Sequence, residues 1–283
     1  MYKYLASRHL PKFVLFSHRL PYGIVIKRLL PEEAWKEYYC NKILSKIHPF
    51  NFDVKYHENL GCISEVYLPG YDTIGLPGYM FQDRKFIDLI FYWAGKAACV
   101  AYIFGLGDRG HNERIQCNES QDLFQFISYT KRFEPIINID FEDFPSKRLF
   151  SRSIDATEIA LLFYSIFEQL LKLILKPDLK VLFNKYYEGF LQKFTEINYL
   201  WDKNKKHIGS IIRKLFQVLH QKASQKIFST INKRVIEFPE TKLFFNAFEM
   251  IEKSIMKIDQ KLKEKYTYVL KKKREYLNRF REY

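Results

Sequence analysis

The sequence predicts an α+β protein in two lobes, a small lobe of mixed structure over residues 1–76 and a larger, predominantly helical lobe over 77–283. Three observations carry that reading. Up to residue 68 the pattern runs hairpin, helix, two short strands. Pro69, Gly70, Gly75, Pro77 and Gly78 then cluster as a breaker, placing a hinge near residues 68–79. From Ser153 onward the apolar residues recur almost entirely at helical intervals. With 283 residues and 47% hydrophobic content, the chain has enough apolar material for a substantial core.

In the small lobe, residues 12–16 and 23–29 are rich in Val, Ile and Phe and flank a turn that contains Pro21 and Gly23. Such a pattern predicts a hairpin. Pro31 then opens a helix that ends before His48-Pro49. Proline at the first helical position loses no hydrogen bond, and acids at the start with bases near the end suit the helix dipole. Ala34, Tyr38 and Ile43 give it an approximate apolar side, and extended stretches follow at 52–56 and 62–68. Beyond the breaker, residues 84–106 form an apolar run with Ile87, Ile90, Phe91, Ala94, Ala98 and Ala101 at helical spacing. Further helices are expected over 159–175, 181–194, 208–219 and 243–270.

Composition narrows the function classes. Cys40, Cys62, Cys99 and Cys117 form no C-x-x-C pair, which speaks against a zinc knuckle or a disulfide framework and for a reducing, cytoplasmic setting. The first residues lack the apolar core of a signal peptide, and no window reaches the roughly 18 apolar residues of a membrane span. A net charge of +14 favours acidic partners: nucleic acid, an anionic membrane face, or phosphorylated small molecules. Residues 261–283 carry nine Lys/Arg against three Glu. That basic terminal helix is a candidate contact for anionic lipid, RNA or protein, which would make the protein peripheral at a membrane surface.

The chemistry concentrates between Gly105 and Phe144. Asp108 lies on a loop directly after the buried helix, a short strand follows over 114–117, and a second strand over 136–139 runs into Asp140. Two acids on loops at adjacent strand ends can converge at one sheet edge. Phosphoryl transfer uses such a pair, with one carboxylate orienting the acceptor hydroxyl and the other holding magnesium against the ATP phosphates.

Gly107-Asp108-Arg109 with nearby His111, followed by Asn138-Ile139-Asp140-Phe141, resembles the catalytic loop and metal-binding motif of the phosphatidylinositol 3-/4-kinase-like branch of the protein-kinase-like superfamily. In that branch the pattern is G-D-R-H-x-x-N followed by H-I-D-F-G. The resemblance covers roughly residues 12–150. It implies a bilobal protein-kinase-like fold, ATP with Mg2+, Asp108 at the catalytic-loop aspartate position and Asp140 as the principal metal ligand. It also implies that Lys27, in Val25-Ile26-Lys27, meets the ATP phosphates and pairs with Glu37 or Glu33 on the following helix. Those two glutamates stand four apart, near one helical face. Residues 64–70 would hold adenine through the backbone, Arg109 would brace the loop carboxylates, and His111 would act on the transferring phosphoryl group or shape the loop.

The chain departs from the family pattern in definite places. Gly110 follows Arg109 where the family has its histidine, and Glu113 stands five residues beyond Asp108, where the metal-binding Asn belongs. Allowing for one inserted residue, that position falls on Arg114, and Asn112 is a third alternative. Glu113 and Asn112 supply oxygen ligands, whereas Arg114 does not. Glu142 replaces the glycine after Asp140-Phe141, and no G-x-G-x-x-G precedes Lys27. Four outcomes stay open: a working kinase acting on a protein or inositol-type hydroxyl, a nucleotide-binding pseudokinase, a basic RNA- or membrane-binding protein, and an enzyme that transfers AMP.

Overall fold

The computed structural model describes residues 2–5, 12–15, 24–47, 54–66, 71–72, 78–106, 113–115, 136–138, 144, 147–150, 155–172 and 177–281. Over these the protein is α+β, with two antiparallel sheets and a helical body. Strands β1 (Tyr2–Leu5), β2 (Lys12–Leu15), β3 (Ile24–Arg28), β4 (Lys55–His57) and β5 (Cys62–Val66) form one sheet in the order β1-β2-β3-β5-β4. The expected hairpin is β2–β3, with Val14 opposite Val25. Strand β1 was not expected: its alternation of Tyr and Lys is too short and polar to stand out, and it adds to the free edge of β2.

Helix α1 (Pro31–Leu44) connects β3 to β4 and is buried on two sides. Ala34 packs with Leu29, Val54 and Ile63 in a small core over the sheet. Cys40, Ile43, Leu44 and Ile47 belong instead to the main helical core. The side chain of Asn204, on the long fourth helix, donates 3.1 Å to the carbonyl of Lys46 and fastens the end of α1 to the body.

The body is built around α2 (Arg84–Phe104) and α4 (Leu179–Val218). Asp83 caps α2 by accepting from the Lys85 amide at 2.7 Å. All six residues expected to line its apolar side are buried. By length and composition α2 is apolar enough to cross a membrane, which qualifies the sequence-based expectation that no such segment exists; 72% of that window is buried inside the protein, as suits a core helix. The two helices cross at paired glycines. A Cβ on Gly95 would lie 1.8 Å from the Tyr186 carbonyl oxygen, and one on Gly189 would lie 1.8 Å from that of Tyr92. Only hydrogen side chains permit backbones to approach so closely.

At the same interface Glu196 accepts from Lys96 at 2.8 Å and lies 3.4 Å from Lys193, both lysines being buried. Lys96 also sits over the Trp93 ring, 4.7 Å from its centroid. Helix α3 (Asp155–Lys172) adds Phe163 and Phe167 to the core, and the Tyr186 hydroxyl donates to the Ile159 carbonyl.

Two sequence expectations for the body need correction. The separate helices expected at 181–194 and 208–219 are one 40-residue helix. The intervening stretch is polar but holds no proline or glycine, and Ile197 and Trp201 continue the buried stripe from Phe194 to Ile208. An additional helix, α5 (Ser224–Ile236), precedes α6 (Thr241–Arg281). Its buried stripe is only three residues, Ile227, Ile231 and Val235, at successive intervals of four.

Candidate active site

Lys27 lies on the central strand β3, opposite Ile63 of β5 and Lys12 of β2. Side chains alternate along a strand, so Val25 and Lys27 share the buried face of β3, toward α1. Glu37 is fully buried on α1, and its Oε1 receives a hydrogen bond from Lys27 Nζ at 2.6 Å. The Lys27 side chain is itself only 4% exposed. Two charges taken out of water cost several kcal/mol each, and only a close, hydrogen-bonded geometry of this kind offsets it.

Of the two glutamates weighed from sequence, the geometry gives this role to Glu37. Glu33 turns back to the start of α1, where its Oε2 accepts from the Leu30 amide at 3.1 Å. It is a helix cap and not the lysine's partner, because three residues place it one turn from Leu30 and four place it one turn before Glu37. On the same helix, Trp35 lies 5.6 Å from the Tyr39 ring and 4.3 Å from that of Tyr56 on β4, centroid to centroid. Burial raises the hydroxyl pKa of both tyrosines, with smaller contributions from neighbouring Tyr38 at Tyr39 and from Glu58 and Cys62 at Tyr56.

The second sheet holds β6 (Tyr71–Asp72), β7 (Glu113–Ile115) and β8 (Ile136–Asn138) in sequence order. Strands β7 and β8 fall within a residue or two of the expected positions, while β6, inside the breaker region, was not expected. Glu113 pairs with Asn138 and Ile115 with Ile136. In this antiparallel register the end of β7 that follows residues 107–112 and the end of β8 that precedes residues 139–143 are the same sheet edge. Asp108, Arg109, His111, Asn112 and Asp140 themselves lie outside the described residues. Glu113 is placed by its backbone alone, as the first residue of β7.

Helix α2, which precedes residues 107–112 in the chain, ends in a fixed stop. Gly105 adopts φ +59°, the left-handed C-cap conformation, while Leu106 donates back to the Ala101 carbonyl at 3.0 Å. A Cβ at Gly105 would also fall 2.7 Å from Cβ of Leu149. Backbone angle and steric contact thus both require glycine at position 105, two residues before the 107–112 segment. Among the described residues, no three His, Cys, Asp or Glu side chains gather to hold a metal ion.

Sequence reasoning passed over one other polar assembly, on the exposed side of α5, where Lys226, Lys233 and Arg234 recur at intervals of seven and eight residues and therefore share a helical face. No protein-family model matches the chain, and no curated protein matches it either.

Proposed function

We propose that the protein is an ATP-dependent phosphotransferase with a bilobal protein-kinase-like fold, moving the γ-phosphoryl group to a hydroxyl on a protein side chain or an inositol-type headgroup. The observation that carries the reading is the buried Lys27–Glu37 ion pair between the third strand and the following helix. Kinases require such a lysine and glutamate, on the third strand and the helix after it, to set the ATP phosphates. The pairing is costly as a device for stability alone, since apolar residues of similar volume often serve a core as well or better. Further support comes from the register of β7 and β8, which pairs Glu113, just after residues 107–112, with Asn138, just before residues 139–143.

In this mechanism Lys27, held by Glu37, contacts the phosphates. Asp140, with Glu113 or Asn112, would supply the oxygen ligands that Mg2+ prefers, and the chemistry the ion would bring is neutralisation of phosphate charge. Asp108 orients the acceptor hydroxyl and accepts its proton, while Arg109 and His111 shape the loop around it. Most of the rate enhancement comes from positioning and charge stabilisation. A second reading, a nucleotide-binding pseudokinase, is favoured by Glu113: the residue at the metal-binding Asn position is the first of a paired strand.

The test is incubation of the full chain with Mg2+ and ATP labelled separately at the α and γ phosphates, against lipid, protein and RNA panels. Transfer of γ label that falls about 10^2- to 10^4-fold in Asp108→Ala is the expected result. It should also disappear in Asp140→Ala. Nucleotide binding without transfer points to the pseudokinase, and transfer of α label points to AMP transfer. Absence of nucleotide binding, with the fold intact by circular dichroism, removes the proposal.

A further inference from the structure

Far along the chain from Lys27, the turn between α5 and α6 closes over the end of α2 and the 3₁₀ turn Lys147–Phe150 to leave a cavity of about 530 Å3. That is the size range of small-molecule sites. Its construction follows from the two sides of α5. Ile227, Ile231 and Val235 bury one side in the core, and Asn198 fixes it there by donating 3.0 Å to the Val235 carbonyl. Lys226, Lys233, Arg234 and Glu237 then line the cavity, joined across it by Glu240 and Lys242 of the α6 end. Four cations face two carboxylates.

Two of these cations are held in place by aromatic walls. The Arg234 guanidinium stacks 4.8 Å over the Tyr102 ring and donates to the Tyr102 carbonyl, and the Lys226 ammonium sits 4.9 Å over Phe150. Lys233 lies 3.7 Å from Glu237. Helix α6 carries Lys242 and no acid within its first turn, with Glu240 just before it, so its N-terminal end adds a cation and the positive end of its dipole to the cavity. Apolar walls come from Leu149, Phe150, Phe238, Pro239 and Leu243.

We infer that this cavity binds a small phosphorylated molecule with an apolar or ring-shaped body, phosphate toward the lysines and body against the aromatic walls. The concave shape and limited volume suit a small molecule; a continuous strand of nucleic acid or a flat membrane would need an extended basic surface. The site does not depend on the phosphotransferase reading. Tyr102 stands three residues before Gly105, so the cavity wall includes the last turn of the helix leading to residues 107–112.

The test is calorimetric titration of the full chain with adenosine monophosphate, inositol monophosphate, inorganic phosphate and unphosphorylated adenosine. The first two distinguish a nucleoside phosphate from a sugar-like one. Each measurement is repeated in Lys27→Met/Glu37→Leu, which removes the buried ion pair as a whole, and in Lys226→Gln/Lys242→Gln, whose lysines are exposed and whose replacement leaves the core untouched. Both are checked for the native circular dichroism spectrum. The expected result is binding of at least one phosphomonoester, weakened about tenfold or more in Lys226→Gln/Lys242→Gln and retained in Lys27→Met/Glu37→Leu. Adenosine binding as tight as its monophosphate, unchanged affinity in Lys226→Gln/Lys242→Gln, loss of binding in folded Lys27→Met/Glu37→Leu, or no binding of any probe each overturns the assignment.

Discussion

The sheet unit and the helical body hold themselves together by different means. In the body, α2 and α4 meet at Gly95 and Gly189 with no room for a single added carbon, and around them pack Phe91, Phe163, Phe183, Tyr186 and Phe190. Shape does the stabilising there. Among the described residues, the sheet's own core gathers Leu29, Ala34, Val54 and Ile63, with Val25 buried on β3 beside Lys27, and within it stand an ammonium and a carboxylate. A small core that gives its central place to a charged pair is arranged for something other than maximal stability. That contrast separates replacements that act through packing from those that act through an uncompensated charge.

The largest effect should come from the body. Gly189→Ala drives a methyl group into the Tyr92 carbonyl, a backbone atom that cannot rotate away, and should cost upwards of about 5 kcal/mol in urea unfolding. Gly209→Ala is the control: its Cβ would meet the Phe228 ring at 3.2 Å, a contact a side chain can ease, and the helix gains propensity. Equal losses at the two positions would break the argument from shape.

Next comes the ion pair. Lys27→Met alone leaves the Glu37 carboxylate buried without its ammonium and should cost about 3–5 kcal/mol. Lys27→Met combined with Glu37→Leu should recover most of that stability in denaturant melts while γ-phosphoryl transfer stays absent. If the double variant is both as unstable as the single one and equally inactive, the pair is structural.

The smallest effect is one of pH. Tyr39 and Tyr56 have raised pKa values, chiefly because burial disfavours the phenolate. The neutral forms therefore contribute stability that is fully present below the ordinary tyrosine value of 10.0 and is lost as pH rises past it toward the folded values. Tyrosinate absorbance should show a late-titrating fraction, reduced in Tyr39→Phe.

Much of this arrangement was legible in the residues. Apolar periodicity located α1 and α2 to within a few positions, because Pro31, His48-Pro49 and Gly105 punctuate them chemically. The lysine strand and the following glutamates came from a resemblance, and the sequence left Glu33 and Glu37 both open with Glu37 preferred. What separates them is which turn of the helix faces the sheet, a tertiary fact. Strand β1 and helix α5 were missed because each carries too narrow an apolar signal to stand alone; both form by completing something already present. The Gly95–Gly189 crossing and the α5–α6 cavity join residues roughly a hundred positions apart, and no local pattern records such meetings. Asp108 and Asp140 were read from motif, and the β7–β8 register supplies the shared edge but not their side chains.

Helix α1 belongs to both cores at once, with Ala34 seated in the sheet unit and Ile43 and Ile47 in the body. Sliding it far enough to part Glu37 from Lys27 must therefore unseat those isoleucines or strain the Asn204 tether at Lys46. The salt link works as a tell-tale for docking: whatever loosens the large helical mass also disarms the lysine, without touching either charged residue.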